Sequence, residues 1–148
     1  MKIKIKKEFD GRSYVAFCEN VPNIYVQAPD KETLNQRLNK ALALIKHYTS
    51  SRNQPFPIGQ DKPLFNIRIR FNALSTEKLV EIFKRHNYHL EYEDQDSVIL
   101  MNSSYPFNRV HLPQTNRISP VIVRHLFGAE NTVYVGSPPN LKLHRSLP

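Results

Sequence analysis

The residues that could do proton chemistry are a few scattered histidines and one short acidic run. His111 lies in Phe107-Asn108-Arg109-Val110-His111-Leu112, a strand-like pattern closed by Pro113. An imidazole is the side chain best suited to general acid–base work near neutral pH. His111 or His89, helped by Arg109, is therefore the candidate for any catalysis. The plainer reading of a strand histidine is a structural or surface residue. His86 and His89 are three apart and suggest a metal pair, but no second pair or cysteine set completes a site, so no metal or other cofactor is expected. Glu91, Glu93, Asp94 and Asp96 lack the oxygen-ligand spacing and the glycine of a calcium loop. They read as a solvated hairpin tip. Cys18 is the only cysteine, which excludes an internal disulfide and reads as a small buried side chain.

Binding chemistry is suggested by charge. The chain has 148 residues and a net charge of +8, an excess that favours polyanions, above all nucleic acid. Residues 1–60 carry ten basic and five acidic side chains, residues 61–148 eleven and eight, so the amino half is the more basic. Lys2, Lys4, Lys6 and Lys7 alternate with Ile3 and Ile5 and form the best polyanion-binding face. Lysine on an edge strand also serves as a guard against aggregation. Arg124 and His125 make a small basic face on a predicted helix. Tyr105, Phe107 and Arg109 offer rings and a cation that could stack on bases, with core packing the default for the two rings.

These groups are positioned by an α+β arrangement. Residues 2–8 alternate with period two, a strand with one buried face. Asp10-Gly11 is a tight-turn signal, and 13–18 and 24–27 follow as strands. Asp30 is a helix N-cap, and Leu34, Leu38, Ala41, Leu42, Ile45 and Tyr48 mark one apolar face of a helix from about Lys31 to Tyr48. Residues 49–63 read as a linker and 64–71 as a strand. Ser75 caps a second helix ending near His86-Asn87. Strands follow at 88–92, 97–101 and 107–112. Ser119-Pro120 opens a last helix that Gly128 ends, and 132–135 can form a final strand. No apolar run is long enough for a membrane span. With no leader-like start, a cytoplasmic protein is expected.

Two family resemblances rest on these residues. Residues 1–50 resemble the HicB antitoxin domain: Tyr14-Val15-Ala16-Phe17, the turn Val21-Pro22-Asn23, the strand Tyr25-Val26-Gln27, then Asp30 to Leu34 opening a helix. Asn23 stands where that family has glycine. Residues 75–128 resemble the HicA toxin: Leu79 to Phe83, an Asn87-Tyr88 step in place of glycine-aromatic, Val110-His111-Leu112-Pro113, and Val123 to Phe127. The resemblance implies a βββα partial ribonuclease-H-like unit at 1–50 and an αβββα double-stranded-RNA-binding-like unit at 75–136; the residue pattern adds a linker and strand at 51–74 and, from its prolines, a flexible tail at 137–148. It also implies self-association into a homodimer or larger. The toxin family's Gly-Ser-His signature falls on Gln95, Asp96 and Ser97, so a hydroxyl replaces the catalytic imidazole. The expectation is a non-catalytic binding or regulatory protein with RNA as candidate ligand, contacted by Lys2, Lys4, Lys6, Lys7, Arg109 and Arg124. An altered ribonuclease and a purely structural dimer are the alternatives.

Overall fold

In a computed structural model that describes residues 2–135, the first hairpin is folded by Asp10, whose Oδ1 accepts from the backbone N–H groups of Arg12 and Ser13 at 2.8 and 2.7 Å. Gly11 takes a φ of 98° there, a value that side chains resist. The hairpin joins β1 (Ile5–Phe9) to β2 (Tyr14–Cys18), and β3 (Tyr25–Ala28) completes an antiparallel sheet. Asp30 caps α1 (Lys31–Ser51) by accepting from the Thr33 N–H at 2.7 Å. Ser75 caps α2 (Thr76–Arg85), and Ser119 caps α3 (Pro120–Phe127). Each such cap contributes about 1 kcal/mol. Between α2 and α3 lie β5 (Tyr88–Glu93), β6 (Ser97–Asn102) and β7 (Arg109–Pro113), a second antiparallel sheet. Asn23 and Asn87 have φ of 66° and 71°. Asparagine is among the few residues other than glycine that accept this region readily.

The two sheets meet edge to edge. Ile24, just ahead of β3, bridges His111 of β7 in parallel, and the His111 N–H donates to the Asn23 carbonyl at 2.9 Å. The strands thus run β1-β2-β3-β7-β6-β5 across the molecule. One face is covered by α1, whose Leu34, Leu38, Ala41 and Ile45 pack with Ala16, Cys18 and Val26 of the first sheet and also with Ile99 of the second. The opposite face is covered by α2 and α3, where Leu79, Phe83, Leu126 and Phe127 pack with Leu100 and Val110 and also with Val15, Phe17 and Tyr25. Each apolar cluster therefore draws on both halves of the chain. Both alternating sets of β2 and β7 residues are buried because helices lie on both sides.

Several elements depart from expectation. The period-two pattern of residues 2–8 implies a buried face, yet every residue of β1 is exposed, because β1 is the outer edge where helical cover ends. Of residues 64–71 only β4 (Ile69–Phe71) is a strand. Leu64 and Phe65 instead both donate to the Leu126 carbonyl, and the Phe65 ring packs 4.8 Å from Phe83 and 5.1 Å from Phe127. Helix α1 continues past Tyr48 to Ser51. Strand β7 begins at Arg109, which leaves Phe107 in a loop. The last strand, β8 (Thr132–Tyr134), pairs in parallel with β4. The expected tail at 137–148 lies outside the described residues. Among those described, no helix is long and apolar enough to cross a membrane.

Because both clusters span both halves, denaturant unfolding followed by circular dichroism and by tyrosine fluorescence is expected to give one coincident transition. Leu126→Ala, at a fully buried site, is expected to lower stability by about 2–5 kcal/mol. Two separated transitions would contradict the shared core.

Candidate functional site

The position that the resemblance assigns to a catalytic histidine is occupied by a serine with an imidazole against it. Ser97 opens β6 and faces Pro113 of β7 in register, while Ile99 faces His111. The Ser97 hydroxyl donates to His111 Nε2 at 2.9 Å, and His111 Nδ1 donates to the Tyr25 carbonyl at 3.0 Å. A carbonyl only accepts, so Nδ1 carries the proton and Nε2 is the acceptor. A hydroxyl, an imidazole and an orienting acceptor resemble an activated-nucleophile set. Access decides against that use. Ser97 is 2% exposed and His111 1%, beneath α1 and at the β3–β7 seam. Burial pushes the His111 pKa down to about 4, although its hydrogen bond to Tyr25 pulls the other way. The ring is neutral near pH 7 and fully partnered.

Arg109 does not reach solvent. Its guanidinium makes a bidentate pair with Glu91, at 2.5 and 3.1 Å, and also donates to the Gln54 side chain. Both side chains of the pair are only 4% exposed, and Arg52 adds a second cation on Glu91 at 3.0 Å. This cluster ties the end of α1 and the start of the linker to the second sheet. The expectation of Arg109 as a nucleic-acid contact or a catalytic helper is thus corrected: its charge is spent internally. The acidic turn is likewise more than a solvated tip. Lys40 of α1 lies 2.5 Å from Asp94 and 3.6 Å from Asp96, and Arg37 lies 3.6 Å from Asp96. Burial alone would raise the Asp94 pKa, but hydrogen bonds from Lys40, Tyr92 and the N–H groups of Asp96 and Ser97 hold it well below the usual carboxylate range. Gln95 sits at the crest of this turn between the two aspartates.

The remaining candidates separate in space. His86 Nδ1 meets the Ile82 carbonyl and His89 Nδ1 the Ser103 hydroxyl, so the two rings do not converge. Among the described residues, no group of three or more His, Cys, Asp and Glu side chains is placed to hold a metal ion. Lys2 and Lys4 are exposed beside the outer edge. Lys6 reaches Glu19 at 3.2 Å, and Lys7 reaches Asn35 of α1 at 2.6 Å, so these neighbours serve opposite faces rather than one cationic surface.

Arg124 is exposed at the rim of a cleft of about 330 Å³ that also involves Glu8, Asp61, Lys62, His125 and Glu130. Asp61 is the hub here. It accepts from Tyr25 Oη, from the Asn23 N–H and from His125 Nδ1, all within 2.9 Å, and so straps the linker to β3 and α3 at once. The His125 ring packs 4.2 Å from Phe17. Sequence reasoning passed over Asp61; the one signal is that it is the only acidic residue between Glu32 and Glu77. With two cations and two carboxylates on its rim besides the Asp61–His125 pair, the cleft does not concentrate positive charge. No family model, curated protein or solved structure matches this chain.

His111 generates a pH signature. Its folded pKa of about 4 lies below the ordinary 6.5. The unfolded chain therefore binds more protons between these values, and the contribution of His111, complete above pH 6.5, is lost as pH falls towards 4. At neutral pH, His111→Gln is expected to cost about 1–3 kcal/mol, through hydrogen bonds it cannot fully replace. That deficit is expected to shrink between pH 6.5 and 4 in denaturant titrations. Parallel pH profiles for the two proteins would contradict the assignment.

Proposed function

We propose that this chain is a non-catalytic RNA-binding regulatory protein of the cytoplasm, composed of a HicB-like and a HicA-like half in one polypeptide. One observation carries the reading: Ser97, at the position the toxin family reserves for its catalytic histidine, and His111 against it are sealed between α1 and the β3–β7 seam with both imidazole nitrogens engaged. The amino half thus covers the surface on which the carboxyl half would otherwise work. The order α2-β5-β6-β7-α3 supports the resemblance. So do Asn23 and Asn87, which have positive φ at the two positions where glycine is called for. The exposed outer edge at β1 supports self-association, with a homodimer as the expected form.

The RNA reading is supported by where the acids go. Asp30 caps a helix, and Asp61, Glu91, Asp94 and Asp96 are engaged with internal partners. Lys2, Lys4, Lys84, Arg85 and Arg124 are meanwhile exposed. Exposed cations that meet phosphates release counterions, and the resulting affinity falls steeply with salt.

Purified protein incubated at length with mixed RNA is expected to leave it intact, yet to retard labelled RNA in a gel at low salt and release it as salt rises. Cleavage abolished by His89→Ala or His111→Ala would favour an altered ribonuclease. No retardation at any salt would favour a structural dimer without a nucleic-acid role.

A further inference from the structure

The loop between β6 and β7 presents two aromatic rings to water. Tyr105 is 86% exposed and Phe107 36%, with ring centroids 6.0 Å apart and nearly perpendicular. Neither contributes to the two apolar clusters. Phe107 has a φ of 60°, a region that a bulky side chain enters only when its surroundings force it. Those surroundings are well defined. The Asn102 N–H donates to the Asn108 carbonyl and the Phe107 N–H to the Ser104 carbonyl, each at 2.8 Å. The Ser104 N–H is held by Asn102 Oδ1 at 2.9 Å. The Asn87 side chain donates to Ser104 Oγ at 2.6 Å, and the Ser103 N–H donates to the Asn87 carbonyl at 2.8 Å. The rings are thus shown by a braced turn, which spares them the cost of ordering on binding.

The same bracing joins the rings to positive charge. Asn87 directly follows the last turn of α2, where Lys84, Arg85 and His86 are all exposed. His89 is exposed beside Ser103, with Nδ1 2.8 Å from its hydroxyl. Acids nearby are Glu81, one turn back on α2, and Glu91, which is spent on Arg109 and Arg52. Exposed rings beside cations suit unpaired nucleobases and their phosphates, because every base has a stacking face. A duplex keeps its bases stacked inside and cannot use such rings.

We infer that the β6–β7 loop is a stacking platform for single-stranded RNA, with Tyr105 and Phe107 receiving bases and the end of α2 receiving the backbone. This rests on the RNA-binding reading above and names the surface that performs it.

The sequence contains no tryptophan, so Tyr105→Trp supplies a single indole reporter at the tip. Titration with an unpaired oligouridylate dodecamer is expected to quench that indole to saturation, and an RNA duplex of equal length is expected to quench it far less. Tyr105→Ala and Phe107→Ala are each expected to weaken binding of the dodecamer about tenfold, and Tyr105→Ala to leave circular dichroism unchanged. Lys84→Gln is expected to flatten the salt dependence by about one phosphate contact. If the wild type binds RNA but Tyr105→Ala binds it equally well, or duplex and single strand quench alike, the platform is wrong while the RNA-binding reading stands. If the wild type binds neither RNA, both fail.

Discussion

The hydrogen-bonded imidazole of His111 is the joint on which the architecture depends. Two three-stranded sheets with open edges must be brought together, and any polar group trapped between them is costly unless paired. His111 resolves this locally: its N–H meets the Asn23 carbonyl, its Nδ1 the Tyr25 carbonyl and its Nε2 the Ser97 hydroxyl. An apolar residue there would leave a carbonyl and a hydroxyl without partners; a charged one would be penalised by burial. The seam contains only one parallel bridge, and the rest of the union comes from helices lying over both sheets and from Asp61 strapping the linker to β3 and α3.

That structural use and catalytic use exclude one another. A general base needs a lone pair or proton that a substrate can reach, and His111 has neither to spare. The acidic side chains follow a similar logic. Glu91 holds Arg109 beneath the end of α1, and Asp94 and Asp96 hold Lys40 and Arg37 of the same helix. These carboxylates are thereby engaged with cations of the protein itself, while Lys2, Lys4, Lys84, Arg85 and Arg124 are exposed.

Local features were readable from the sequence because their causes lie within a few residues. Asp10-Gly11, Asp30, Ser75, Ser119 and Gly128 each act on the adjacent backbone, and each stands at the turn or helix end it signals. Long-range features were not readable. Nothing in the spacing of Tyr25 and His111, 86 residues apart, or of Asp61 and His125 signals contact. Alternation in residues 2–8 reported a strand and its lysines an edge, but not that the face expected to be buried would also be exposed, since that depends on where the helical cover ends. Arg109 looked like a surface cation because its partner, Glu91, comes from β5, on the far side of β6. Tyr105 and Phe107 looked like core residues because hydrophobicity alone does not distinguish a strand from a braced loop.

The most direct test is the protonation pattern of the buried imidazole, read from ring-nitrogen chemical shifts by NMR in mildly acidic buffer, with His111→Gln used to assign the signal. The expected result is a His111 ring protonated at Nδ1 and unprotonated at Nε2, unchanged from neutral pH down to about pH 5.5. A His111 ring that gains a second proton in this range would contradict the sealed, neutral imidazole, and one protonated at Nε2 instead would contradict its hydrogen bonds to Tyr25 and Ser97.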